Sequence, residues 1–127
     1  MQHQILDDLS FNLNCEVLAY RKLLQFASQI QNAILSDESE QILIVASQQA
    51  KLARKLQAHE EIRISLIEKL AASFALPSEQ VSLSQLILLV PEPYATKYVT
   101  FRNELHSLIS KLDVLCFQNA RLISNNI

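Results

Sequence analysis

The chain has 127 residues, half of them hydrophobic, with 11 basic and 13 acidic side chains and a formal charge of -2. That is the length of one domain with apolar mass enough for a core, and it shows no bulk attraction to nucleic acid or an anionic membrane surface. Glycine is absent altogether, so Gly-rich phosphate loops, Asn-Gly hairpin turns and glycine helix caps are missing, and nucleotide-binding α/β folds and most small all-β domains are poor candidates.

Cys15 and Cys116 are too sparse for a disulfide scaffold or a zinc site, which points to a reducing cytoplasm. Met1 to Gln4 has no basic stretch, and Asp7-Asp8 follows, so no secretory signal is read. The longest aliphatic run, Leu86 to Val90, is far short of a membrane span.

All three prolines, Pro77, Pro91 and Pro93, share one window. The stretch before them is too long for one helix in a compact domain. Leu35 to Ser39 supplies the break: Ser36 or Asp37 can cap, and Glu38 and Glu40 suit the positive end of a new helix. Helix one is expected over 3–34 and helix two over 38–75. Helix one carries a heptad seam of Leu6, Leu9, Leu13, Tyr20, Leu23, Ala27, Ile30 and Ile34, interrupted by Glu16. Helix two shows two seams. One is Ile42, Val45, Leu52, Leu56, Leu66 and Leu70; the other is Leu43, Ala46, Ala50, Ala53, Ile64, Ile67, Ala71 and Phe74. Two seams need neighbours on two sides, so helix two is expected to be central.

Leu76-Pro77 is expected to end helix two. Ser82-Leu83-Ser84-Gln85 then has capping-box spacing for a short helix over 82–90. Helix three begins near Pro93 and runs to about 125, with a seam of Tyr98, Phe101, Leu105, Leu108, Leu112, Leu115, Asn119 and Leu122. Beside it, Ile109, Cys116 and Ile123 repeat every seven residues. They read as core against helix two or, if exposed, as a partner site. The expected fold is all-α: an elongated antiparallel bundle of three long helices, each ~45–55 Å, with a short helix in the connector, forming one domain over 1–127.

No catalytic, cofactor or metal site is read. Neither His59 nor His106 has a glutamate three residues before it, as a di-iron bundle requires, and His59-Glu60-Glu61 lacks the second histidine of a metal box. His59 and Glu60 are expected where a seam meets solvent, and both cysteines as small buried hydrophobes. Lys51, Arg54 and Lys55 are followed by Glu60, Glu61 and Glu68, a solvated face rather than a nucleic-acid site. Asn119 at a seam position either fixes register or lies on a frayed, exposed end.

These segments carry a resemblance. Glu16-Val17-Leu18 through Leu23-Leu24-Gln25-Phe26-Ala27, the turn Ala33 to Asp37, Glu60 to Arg63 and Leu70 to Pro77 match in part. The most specific stretch is Val81-Ser82-Leu83-Ser84-Gln85-Leu86-Ile87 leading into Pro91-Glu92-Pro93-Tyr94. Phe101 to Leu105 and Asn119 to Ile123 complete it. Together they resemble the FlgN-like flagellar export chaperones, helical cytoplasmic proteins of the bacterial flagellar type III secretion system. The resemblance implies binding of C-terminal helical segments of hook-associated (hook–filament junction) proteins, protection from premature assembly, and delivery to the flagellar export apparatus. Catalysis, cofactors, nucleic acid and membrane insertion are not implied, and a homodimer stays open. The family holds its client largely by the C-terminal helix, which nominates Leu115, Cys116, Asn119, Leu122 and Ile123. Cys116 stands where members commonly carry the first of two asparagines. No tyrosine follows Tyr98, so docking on the export gate through a C-terminal tyrosine, as in related chaperones, is not expected. The alternatives are a coiled-coil scaffold without a client, and a small enzyme or ligand bundle with His59, Glu60 and His106 converging on a cavity.

Overall fold

The computed structural model describes residues 2–77 and 81–125. Four helices follow one another: α1 (Gln2–Leu35), α2 (Ser39–Ser73), α3 (Leu83–Ile87) and α4 (Tyr94–Asn125). Among the described residues there is no strand, and no helix is long and apolar enough to cross a membrane. The boundaries follow the sequence expectation closely, because long uninterrupted heptads leave a helix few places to stop.

Both long helices that end in a turn do so without the residue usually found there. Asp37 and Ala75 take the left-handed conformation, at φ 57 and 56. Around Asp37, the Glu38 amide donates to the Ala33 carbonyl at 2.9 Å and the Asp37 amide to Ile34 at 3.2 Å. Around Ala75, the Leu76 amide donates to Ala71 at 2.9 Å and the Ala75 amide to Ala72 at 3.1 Å. These are paired Schellman closures, built with Asp and Ala where glycine is the usual choice. Asp37 therefore closes α1 instead of capping α2, whose N-cap position is Glu38 with no side-chain cap bond. Likewise α2 ends through Ala75, ahead of Leu76-Pro77. A left-handed L-residue costs about 1–2 kcal/mol and glycine gives back part of that in backbone entropy. Ala75→Gly is thus expected to stabilise the chain by ~0.5–1 kcal/mol in a denaturant titration, and a lower midpoint would count against this account.

The short helix α3 has the expected capping box: the Ser82 amide donates to Gln85 Oε1 at 2.8 Å and the Gln85 amide to Ser82 Oγ at 3.3 Å. It is only five residues long and gives way to turns before Val90.

The packing corrects one expectation. The central helix is α1: it packs on α2 along one flank and on α4 along the other, while the backbones of α2 and α4 do not meet. The α1 seam is wide enough for both, with Leu6, Leu9, Leu13, Val17, Leu23, Ala27, Ile30 and Ile34 all buried. Only the first seam of α2 turns inward. In the second, Ile67 and Ala71 are buried, but Leu43 is 72% exposed, Ile64 is 52% exposed, and Ala46, Ala50 and Ala53 also face solvent.

The gap between α2 and α4 is filled at one end by α3, which touches both. There Leu86, fully buried, and Val90 join Leu66, Ile67 and Leu70 of α2 with Leu105 and Leu108 of α4. Two tyrosines moor the start of α4 to the start of α1: Tyr98 donates to the Leu6 carbonyl at 2.7 Å, and Tyr94 to Asp7 Oδ1. The cores at the far end are smaller, one around Phe26, Ile30, Ile34 and Val45, the other around Ala19, Leu23 and Leu56.

Candidate functional site

Away from α3, the gap is open, and its walls follow from helical spacing. On α2, Ile64 and Ile67 line a recess with Val81 and Leu83, which fixes the flank turned toward α3 and α4. Ala46, Ala50, Ala53 and Gln57 continue that flank at three- and four-residue steps. On α4, Ile109 lines a recess with Leu83, and Cys116 and Ile123 repeat it every seven residues. Cys116 is exposed and Ile123 is 42% exposed. The stripe is therefore not core against α2; it is uncovered. At ~1.5 Å per residue it runs roughly 20 Å from Ile109 to Ile123, about four helical turns.

The five residues nominated on α4 divide between two faces. Leu115, Asn119 and Leu122 belong to the seam that meets α1. Leu115 is half-buried beside Leu24 and Ser28, and Leu122 packs on the Phe26, Ile30, Ile34 and Val45 cluster. Asn119 is 6% exposed and donates through Nδ2 to the Ala27 carbonyl at 2.9 Å, so the end of α4 is not frayed there. Its Oδ1 is buried without a partner. Cys116 and Ile123 occupy the adjoining flank, facing the gap. Partial burial and then Asp113 push the Cys116 thiol above its usual range, which lowers its thiolate fraction and hence its reactivity. The expectation of a buried Cys116 does not hold; Cys15 is half-buried.

Beneath these elements the α1–α2 interface carries a polar cluster where solvated residues were expected. Glu16, 1% exposed, accepts from Arg63 Nε at 3.0 and 3.1 Å. Asn12, also buried, donates to the His59 carbonyl at 2.8 Å and lies 3.0 Å from His59 Nδ1. Tyr20 donates to Glu60 at 3.5 Å. Burial pushes the Glu16 carboxyl above its usual range; the charge and hydrogen bond of Arg63 oppose this, and Glu60 adds to it. Burial and Glu60 raise Tyr20 in the same way. His59 and Glu60 thus face α1, whereas His106 lies on exposed α4 surface, so the three do not converge. No group of three or more His, Cys, Asp or Glu suited to a metal occurs among the described residues. The one sequence signal was that Glu16 interrupts an apolar seam; nothing local ties it to Arg63, 47 residues away.

Exposed apolar helix flanks among the described residues are the kind of surface that takes up another helix, and comparison with protein families supplies the family. The family model described as FlgN protein matches residues 1–127. The chain belongs to the FlgN family. FlgN proteins are flagellar export chaperones. No curated relative and no solved structure matches the chain. In this FlgN protein the exposed flank of α4 with Cys116 and Ile123 lies directly beside the seam that holds α4 to α1, in which Asn119 is buried.

Proposed function

We propose that this chain is a cytoplasmic chaperone that holds C-terminal amphipathic segments of hook-associated flagellar proteins between α2 and α4, preventing their assembly until the flagellar export apparatus receives them. One observation carries the reading: the gap accepts an apolar helix at one end already, in the form of α3, and beyond it none of the described residues covers Ala46, Ala50, Ala53, Cys116 or Ile123. The leucine and isoleucine face of α3 is the intramolecular counterpart of a client helix. The client buries its stripe against Ala46, Ala50 and Ala53 on one wall and Ile109, Cys116 and Ile123 on the other. Alanines on α2 keep that wall low enough for a large client side chain. Leu115, Asn119 and Leu122 act from the next row, setting the position of α4 on α1. The unpartnered Asn119 Oδ1 is an acceptor that a small shift of α4 would make available.

The test is calorimetry with the C-terminal segment of a hook-associated protein from the same genome. A one-to-one complex with negative heat-capacity change is expected. Cys116→Glu/Ile123→Glu, at exposed positions, should keep its melting temperature yet lose ~100-fold or more in affinity, since each buried carboxylate opposes the apolar contact. Unchanged affinity in that variant, or a stable client-free homodimer closing the gap, would move the assignment to a scaffold.

A further inference from the structure

At the inner end of the open gap, against α3, three basic side chains from two helices surround one recess. Arg63 of α2 and Arg102 and His106 of α4 line it, together with Ser82 and Ser84 of the connector. Its volume is about 220 Å³, and none of the described lining residues is acidic. The two arginines differ in what they have left to offer. Arg63 is committed through Nε to Glu16. Arg102 forms no ion pair among the described residues. Its Nη1 donates to Ser84 Oγ at 3.3 Å, and its Nε and Nη2 to Asn103 Oδ1 at 3.3 Å. Neutral oxygens thus orient that guanidinium without neutralising it; Asn103 takes the Nε–Nη2 edge, and the remaining hydrogens of Nη1 and Nη2 are left for an oxyanion. Among the described acids, Glu16 is paired with Arg63, Glu104 pairs with Arg21, and Glu68 lines the adjoining recess on the far side of Arg63, Ser82 and Leu83.

Ile109 belongs both to this recess and to the uncovered stripe of α4, so the recess is continuous with the docking gap. A helix lying in the gap ends against α3, and the end that meets Arg102 and His106 is favoured to be its C-terminus, where the helix dipole and terminal carbonyls are negative.

We propose that the recess formed by Arg63, Arg102 and His106 is a carboxylate subsite that receives the C-terminal end of the bound client helix and so sets the client's direction. The carboxylate is the chain end or an acidic side chain of the last turn. The subsite rests on the chaperone reading for its ligand, and its own chemistry is separately measurable.

Three client segments distinguish the sources: the free acid, the C-terminal amide, and one with last-turn Asp and Glu replaced by Asn and Gln. Binding of each is compared in the native chain and in Arg102→Gln/His106→Gln, which leaves the Arg63–Glu16 pair intact. The variant is expected to bind the free acid at least tenfold more weakly and to lose most of the salt dependence of binding. Whichever neutralised segment supplies the carboxylate should bind both proteins equally weakly. Equal affinity of native chain and variant for the free acid overturns the subsite and leaves the chaperone reading standing. A native chain that binds no segment overturns that reading instead. The subsite is then judged by acetate titration of the free protein, followed by NMR at the His106 ring. Saturable shifts that vanish in Arg102→Gln support it, and their absence overturns it.

Discussion

Arg63→Ala is expected to destabilise the chain by roughly 3 kcal/mol or more near neutral pH, the cost of leaving a buried carboxylate without its partner. Glu16 is 1% exposed and its cation among the described residues is Arg63, whose side chain is 30% exposed. The loss is pH-dependent, with a definite sign. Glu16 already titrates above its usual range when folded, and removing Arg63 takes away the opposing influence and raises it further. A carboxyl with a raised folded value favours the folded state in acid and forfeits that contribution as pH rises through that value. The deficit of Arg63→Ala relative to the native chain should therefore be large at about pH 7 and shrink toward about pH 4, as Glu16 takes up its proton. Urea titrations of both proteins at the two pH values check this. Equal deficits at both would mean that Arg63 acts through packing alone. Glu16→Leu/Arg63→Leu removes the pair together and should come out near neutral or more stable.

Leu86→Ala should rank beside it. Leu86 is fully buried and is the side chain through which α3 joins the α2 and α4 halves of the main core. Truncating a buried leucine costs ~2–5 kcal/mol, with the higher values where the site cannot collapse. Besides α1, which is already packed against both along its length, α3 is the described element in backbone contact with both α2 and α4, so the site has little means of collapsing. Hydrogen exchange should show the loss concentrated in the connector, at the Leu88, Leu89 and Val90 amides that close on Gln85 and Leu86. The tip of the α1–α2 hairpin around Asp37 should be unaffected. Uniform loss of protection along the chain would instead assign α3 no separate role.

Helix positions were legible in the sequence because the information is local. Heptad spacing, the proline window and the Ser82–Gln85 box each act within a few residues. The choice of centre was not. Two seams on α2 suggest two neighbours, but a seam states only that a surface is apolar, and the second seam of α2 is largely the uncovered wall of the gap. Glu16 looked like a flaw in the α1 seam and His59 to Arg63 like a solvated break in α2. Each is intelligible only once the antiparallel pairing brings them together, which is a long-range fact. The nominated α4 residues share one stretch of helix, as local spacing indicates, yet separate into a seam and a flank through the direction in which α1 lies. Arg102 and His106 carry no local signal at all, since their meaning depends on the connector folding back beside them.

The direction of α4 along α1 has a consequence for how the chain reaches this fold. Where α1 and α2 pair, the loop between partners lengthens steadily with distance from the Asp37 turn, from neighbours at the hairpin to Gln2 and Ser73, 71 residues apart. Such a pairing can zip outward, each contact shortening the search for the next. Because α4 runs parallel to α1, its partners are separated by nearly the same length of chain at either end: 92 residues for Tyr98 and Leu6, 92 for Asn119 and Ala27. Once the α1–α2 hairpin is zipped, Gln2 lies beside Ser73, so the α1–α4 pairing starts across the short connector, at Tyr98 and Leu6, and spreads from there toward Asn119 and Ala27. A ribosome must therefore release nearly all of the chain before α1 can be covered on both flanks, and until then the α4 side of α1 stays bare.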